Sequence, residues 1–119
     1  MADTYSEDAA RQRLAGELPQ WQWGDNAIVR RYHTGNWRIT LMVVNAIGHL
    51  AEAAFHHPDL EVSFPAVTVK LTTHDSGGVT DKDFALAREI EALVTWRPAA
   101  DSPLDGPPDK PATAYLTNP

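Results

Sequence analysis

Residues 52–83 read EAAFHHPDLEVSFPAVTVKLTTHDSGGVTDKD, and this stretch decides how the rest of the chain is arranged. A helical run ends here in His56-His57 ahead of Pro58, and a strand run ends in His74 at the head of a turn. Pro58 disfavours helical geometry in the residue before it, so the helix should stop around Phe55 to His57 and leave both imidazoles at its C-terminal end. Glu52 lies four residues before His56. If the helix persists that far, its carboxylate and that imidazole share a face, within reach of a hydrogen bond that would fix the tautomer.

Upstream, Asn36 to Phe55 places Ile39, Met42, Val43, Ala46, Ile47, Leu50 and Ala54 at steps of three and four, the apolar stripe of an amphipathic helix with Asn36 as its N-cap. Downstream, Ala66 to Thr73 alternates, with Val67, Val69 and Leu71 on one side and Thr68, Lys70 and Thr72 on the other, the pattern of a half-buried strand. Asp75-Ser76-Gly77-Gly78 is a turn composition. Thr80 with Asp83 then makes a capping box ahead of Phe84, Leu86, Ala87, Ile90, Leu93 and Val94, the stripe of a final helix.

The remaining elements follow from the same signals. Ser6 to Leu18 reads as a short helix ended by Pro19. Trp21-Gln22-Trp23, the turn residues Gly24-Asp25-Asn26, and Ala27 to Thr34 read as a hairpin in which Ile28, Arg30 and Tyr32 alternate with Val29, Arg31 and His33. Another strand is expected around Glu61 to Phe64. The order α-β-β-α-β-β-α predicts an α+β fold, a four-stranded antiparallel sheet with three helices packed on one face. Residues 1–96 form the domain. Over 97–119 six of 23 residues are proline and the periodicity vanishes, so this tail should be extended or disordered, with Tyr115 and Leu116 as anchors if it drapes over a surface.

Composition narrows the function. A net charge of -6 and a pI near 5.2 argue against nucleic acid as the main partner. With no cysteine there is neither a disulfide nor a thiolate metal site, as a reducing cytoplasm would allow. The first residues lack a signal-peptide pattern and no run approaches a membrane span. His49, Glu52 and His56 share a helix side, but without a second ligand pair they do not make a metal site. Trp21, Trp23, Trp37 and Trp96 read as core and sheet cover, and His33 as a surface strand residue.

The quoted stretch resembles the signature of the pterin-4a-carbinolamine dehydratases: an acidic residue (Glu52), three positions, His56-His57-Pro58, an aromatic (Phe64), a later His74 and a closing acid (Asp83). The likeness runs from about Gln20 to about Trp96, and it implies the same fold. It further implies a reaction that needs no metal or cofactor, the dehydration of a 4a-hydroxytetrahydropterin to a quinonoid dihydropterin. His56, His57 and His74 would be the catalytic groups, with His56 and His74 transferring protons at the hydroxyl and His57 holding the substrate. Glu52 and Asp83 would orient imidazoles, and Pro58, Leu60, Phe64, Thr73, Asp75 and Ser76 would contact the pterin. The chain departs from the family pattern at Ala53, where many members carry Lys, at Leu60, where an aromatic wall is usual, and at Phe64-Pro65, where Tyr-Asn is usual.

Each residue also has a plainer role. The histidine pair could merely meet the helix dipole, Asp83 could be only the capping acid, and Glu52 only a solvated helix residue. In addition, WRITLMVVNAIGHLAEAAFHHPDL with the closing LVTWRP and the proline-rich tail resembles a bacterial subgroup of dehydratase-like RuBisCO assembly factors of α-carboxysome systems. That likeness implies an inactive or weakly active chaperone with the RuBisCO large subunit as partner and a carboxysome-associated location. Coactivation of a transcription factor is a third role found among relatives. In every case the exposed edge of a small sheet leads us to expect a homodimer or homotetramer.

Overall fold

The computed structural model describes residues 3–107, so Tyr115, Leu116 and the rest of 108–119 lie outside the described residues. Ser6 caps helix α1 (Glu7–Glu17) by accepting from the Ala9 amide at 3.2 Å, and Ala10 and Leu14 turn inward. Strands β1 (Gln22–Trp23) and β2 (Ile28–His33) follow, then helix α2 (Trp37–Ala54), strands β3 (Asp59–Ser63) and β4 (Ala66–Leu71), a 3-10 turn over His74–Ser76, and helix α3 (Asp81–Val94). The sheet order is β1-β2-β4-β3, antiparallel throughout. This is the α+β arrangement expected from the sequence.

Strand period explains why all helices lie on one side. Ile28, Arg30 and Tyr32 on β2 stand opposite Leu71, Val69 and Val67 on β4, and all six are buried. Their neighbours Arg31, His33, Thr68 and Lys70 point to the open face. The β1–β2 connection is tight because Asp25 and Asn26 both adopt positive φ, 53° and 55°, and Gly24 and Ala27 exchange backbone hydrogen bonds across them. Such a two-residue turn matches strand twist, and Asp and Asn tolerate it. The turn then leans on the loop after β4: the Asn26 amide donates to the Gly77 carbonyl at 3.0 Å, and the Thr72 hydroxyl donates to the Asn26 carbonyl at 3.0 Å.

Three expectations are revised. Strand β3 starts at Asp59 rather than near Glu61, because its pairing runs from Asp59 opposite Lys70 to Ser63 opposite Ala66. Trp37 and Trp96 are 51% and 57% exposed, one at the start of α2 and the other past the end of α3, so only Trp21 is a core tryptophan and Trp23 is partly buried. Met42 and Ala54 of the α2 stripe and Leu93 of the α3 stripe are exposed. The β2 alternation holds, and it carries Arg30 with Ile28 and Tyr32 into the interior, beneath α3.

Burial of Arg30 is made tolerable by Glu91. The carboxylate of Glu91 accepts from Arg30 Nε at 2.9 Å and Nη2 at 3.2 Å, from the Tyr32 hydroxyl at 2.7 Å and from Trp21 Nε1 at 2.9 Å. Arg30 also lies over the Tyr32 ring, 4.2 Å from its centroid. Burial works to raise the Glu91 carboxyl, but the bonds from Arg30, Tyr32 and Trp21 outweigh it, so the group sits below its ordinary 4.5. A carboxyl lowered on folding stabilises the protein above its unfolded value and loses that contribution as pH falls through the folded one. Glu91→Gln should therefore cost about 3 kcal/mol at pH 7, because it leaves the Arg30 charge buried and uncompensated. Urea unfolding followed from pH 7 down to pH 3 should show the wild type losing stability below about 4.5, with a shallower acid limb in the variant.

Candidate active site

Helix α2 ends in a way that separates its two histidines. Phe55 takes the left-handed conformation (φ 50°, ψ 48°), its amide donates to the Glu52 carbonyl at 3.2 Å, and the His56 amide donates to the Ala51 carbonyl at 3.1 Å. This pair of bonds is a Schellman closure. The chain turns sharply at Phe55, so the helix does not carry His56 onto the Glu52 face. Glu52 instead meets His57, Oε1 to Nε2 at 2.9 Å, which revises the pairing expected from the four-residue spacing. His56 goes to Asp83, Nε2 to Oδ1 at 2.6 Å.

Asp83 is fully buried and every donor around it is accounted for. Its Oδ2 accepts from the Thr80 amide at 2.9 Å, completing the capping box that starts α3, and from the Thr73 hydroxyl at 2.8 Å. Thr73 and Thr80 share a further hydroxyl contact at 2.8 Å. Since the Thr73 proton goes to Asp83, the Thr80 hydroxyl is the donor in that contact. The capping and orienting roles weighed for Asp83 are thus carried by one side chain, an oxygen for each. A carboxylate only accepts, so Asp83 and Glu52 both fix the Nε2–H tautomer of a neutral imidazole and leave Nδ1 with a free lone pair. The imidazoles differ in setting, with the His56 side chain 15% exposed and that of His57 51% exposed.

The third histidine arrives through the same carboxylate. Asp59 pairs with Lys70, so His57 and Pro58 enter β3 at the end of the sheet where Thr72, Thr73 and His74 leave β4. Thr73, tied to Asp83, is followed at once by His74, which is exposed and starts the 3-10 turn closed by Gly77 at φ 76°. Asp75 is exposed and Ser76 partly buried on that turn, and Pro58 and Leu60 are partly buried at the start of β3, with Leu60 packed on the core. Phe64 is not brought to this end. It lies past the far end of β3, roughly 20 Å along the strand from Pro58, where its carbonyl accepts from the Thr40 hydroxyl at 2.9 Å.

A cavity of about 280 Å³ opens beside His56, lined by Ala54, Phe55, Lys82, Ala85, Leu86 and Glu89. Sequence reasoning missed Phe55, and the signal that could have found it was negative: no Gly or Asn stands where a helix must stop two residues before His57. It also missed the use of the Thr73 hydroxyl, which local pattern does not encode.

The family model for pterin 4 alpha carbinolamine dehydratase matches residues 3–93. A relative from Aquifex aeolicus (strain VF5) carrying the name pterin-4-alpha-carbinolamine dehydratase is 48% identical over 94 residues, 79% of this chain and 94% of the relative. The crystal structure of a transcriptional coactivator/pterin dehydratase from Brucella melitensis matches with a TM-score of 0.69 and 27% identity, over 76% of this chain and 98% of that one. A pterin dehydratase-like protein described as a RuBisCO assembly factor in the α-carboxysome matches with a TM-score of 0.53 and 22% identity, over 62% and 88% of the two chains. At that identity the likeness is one of fold.

The Asp83 arrangement predicts a specific effect of Asp83→Asn. If the remaining oxygen keeps the Thr80 and Thr73 donors, the new amide faces His56 Nε2, which must then be a lone pair. His56 should switch to the Nδ1–H tautomer, visible in its ring 15N shifts, and the domain should lose about 1–3 kcal/mol. An unchanged tautomer would contradict the assigned geometry.

Proposed function

The chain belongs to the pterin 4 alpha carbinolamine dehydratase family, and on that premise we propose that it dehydrates a 4a-hydroxytetrahydropterin to the quinonoid dihydropterin by histidine acid–base catalysis. The reaction removes the proton from ring N5 and delivers a proton to the departing 4a-hydroxyl. The N5–H electron pair becomes the second bond of C4a=N5 as the C4a–O bond breaks and water leaves. No redox change occurs, so the residues need only accept and donate protons near neutral pH, for which imidazole is suited.

The observation that carries this reading is the matched pair of Nε2–carboxylate bonds, His56 to Asp83 and His57 to Glu52, each leaving an Nδ1 to work. His56 and His74 transfer protons at the hydroxyl, and His57 holds the substrate. Because the Thr73 hydroxyl is committed to Asp83, Thr73 makes no side-chain cap on the 3-10 turn. The first amides of that turn, at His74 and Asp75, are therefore left to meet the polar edge of a flat heterocycle, as N–H groups at a helix start do. Pro58, Leu60 and the Asp75–Ser76 corner border the same end of the sheet. No cofactor enters the proposal. No helix among the described residues is long and apolar enough to cross a membrane, and we place the reaction in the cytoplasm.

The working form in this proposal is a homodimer or homotetramer. Strand β3 is a sheet edge whose Val62 is exposed, with exposed Phe64 just beyond it, and an unpaired strand of this kind favours pairing with a second copy. Phe64 belongs to that contact rather than to the pterin end of its own chain.

The test is the rate of 4a-hydroxytetrahydropterin dehydration by the wild type beside the His56→Ala, His74→Ala double variant. We expect a rate above the uncatalysed reaction that falls at least 100-fold in the variant, within the usual range for acid–base groups of roughly 10²–10⁴. Equal rates for wild type, variant and buffer would reject catalysis. Retention of the RuBisCO large subunit by the inactive protein would then support the assembly-chaperone role in its place.

A further inference from the structure

Phe55 is a bulky residue directly after α2, at the position where the backbone favours glycine or asparagine. Its φ of 50° puts a side chain in the left-handed region, at a Schellman position that glycine fills without a steric penalty. Burial does not offset this, because Phe55 is 79% exposed. What the side chain does make is an edge contact: its ring and the His57 imidazole stand 5.3 Å apart between centroids, at 84°. Backbone strain retained without a packing return, beside residues that carry chemistry, is a sign of a working role.

The His57 imidazole is also held by Glu52, through a single bond at 2.9 Å between two solvent-exposed side chains. Such a bond alone holds an imidazole weakly. His56 needs no comparable help, since its partner Asp83 is buried and locked by two further donors, the Thr80 amide and the Thr73 hydroxyl. We propose that Phe55 is a positioning residue for His57, an aromatic stop that confines the imidazole together with the Glu52 carboxylate. The chain tolerates a strained helix end to keep that stop. Steric restriction by the ring and the hydrogen bond that His57 Nε2–H donates to Glu52 act on different degrees of freedom of the imidazole, its rotamer and its ring orientation, so both are required to fix it.

This inference rests on the proposed dehydratase reading for its kinetic consequence but not for its structural one. The experiment compares wild type with Phe55→Gly and Phe55→Asn, both of which suit the left-handed turn and lack the ring. Melting temperature should rise, by about 3 °C for a domain of this size, while the His57 side-chain couplings change from one rotamer to an average over several and the His56 couplings stay as they are. In the dehydration assay KM should rise about fivefold with a smaller change in kcat, because His57 holds substrate. Phe55→Tyr should retain the single His57 rotamer. A wild type without dehydratase activity would reject the functional reading while the rotamer comparison still decides the role of Phe55. If His57 keeps its single rotamer in both ringless variants, or if KM is unchanged in an active enzyme, the positioning role is overturned.

Discussion

A buried carboxylate is the interaction on which the rest of this structure depends. Asp83 sits at the third position of α3 with no exposure to solvent and three donors from three parts of the chain: the Thr80 amide at its own helix start, the Thr73 hydroxyl at the end of β4, and His56 Nε2 beyond the end of α2. An unpaired carboxylate in that place would cost several kcal/mol. The three elements must therefore meet whenever the domain is folded, and folding and assembly of the site become a single event. The location also favours negative charge, since Asp83 lies in the first turn of α3, at the positive end of the helix dipole.

The framework was legible because each element carried its own local signal. The three-and-four spacing from Ile39 to Leu50, the alternation from Val67 to Leu71 and the Thr80–Asp83 box gave the element order, and the order gave the architecture. Residues with chemical potential were legible too, from the histidine pair before Pro58 and from His74 before the turn. Which carboxylate each imidazole meets was not. That depends on the left-handed turn at Phe55, and a phenylalanine is the wrong residue from which to infer such a turn. Spacing along an ideal helix pointed Glu52 at His56, and the actual end of the helix sends it to His57. The Arg30–Glu91 contact was hidden for another reason: strand alternation puts Arg30 on the side of Ile28 and Tyr32, but it does not say which residue of the helix above meets the guanidinium.

The two histidine–carboxylate pairs are chemically alike and physically different. The His56–Asp83 bond lies in a dry setting, where a charge-assisted hydrogen bond is strong and its geometry is set by neighbours that cannot move independently. The His57–Glu52 bond lies at the surface, where water competes and side-chain entropy opposes it. One imidazole is fixed by the core, and the other is held at the surface by Glu52 and the Phe55 ring.

Helix α3 ties the site to the far side of the core. Asp83 fixes its first turn to β4 and α2, and Glu91, two turns on, fixes its later part to β1–β2 through Trp21, Arg30 and Tyr32. Between them Phe84, Ala87 and Ile90 bury the apolar face. Apolar packing alone would allow small sliding or rotation of the helix at little cost, because it is not directional. Hydrogen-bonded carboxylates at two points allow neither. The polar contacts thus add little to the bulk of the folding energy but select one register of α3, and with it one position for Asp83. Because Asp83 in turn sets the tautomer and direction of His56, a salt bridge with no part in the chemistry helps to determine where a ring nitrogen at the opposite end of the helix can point.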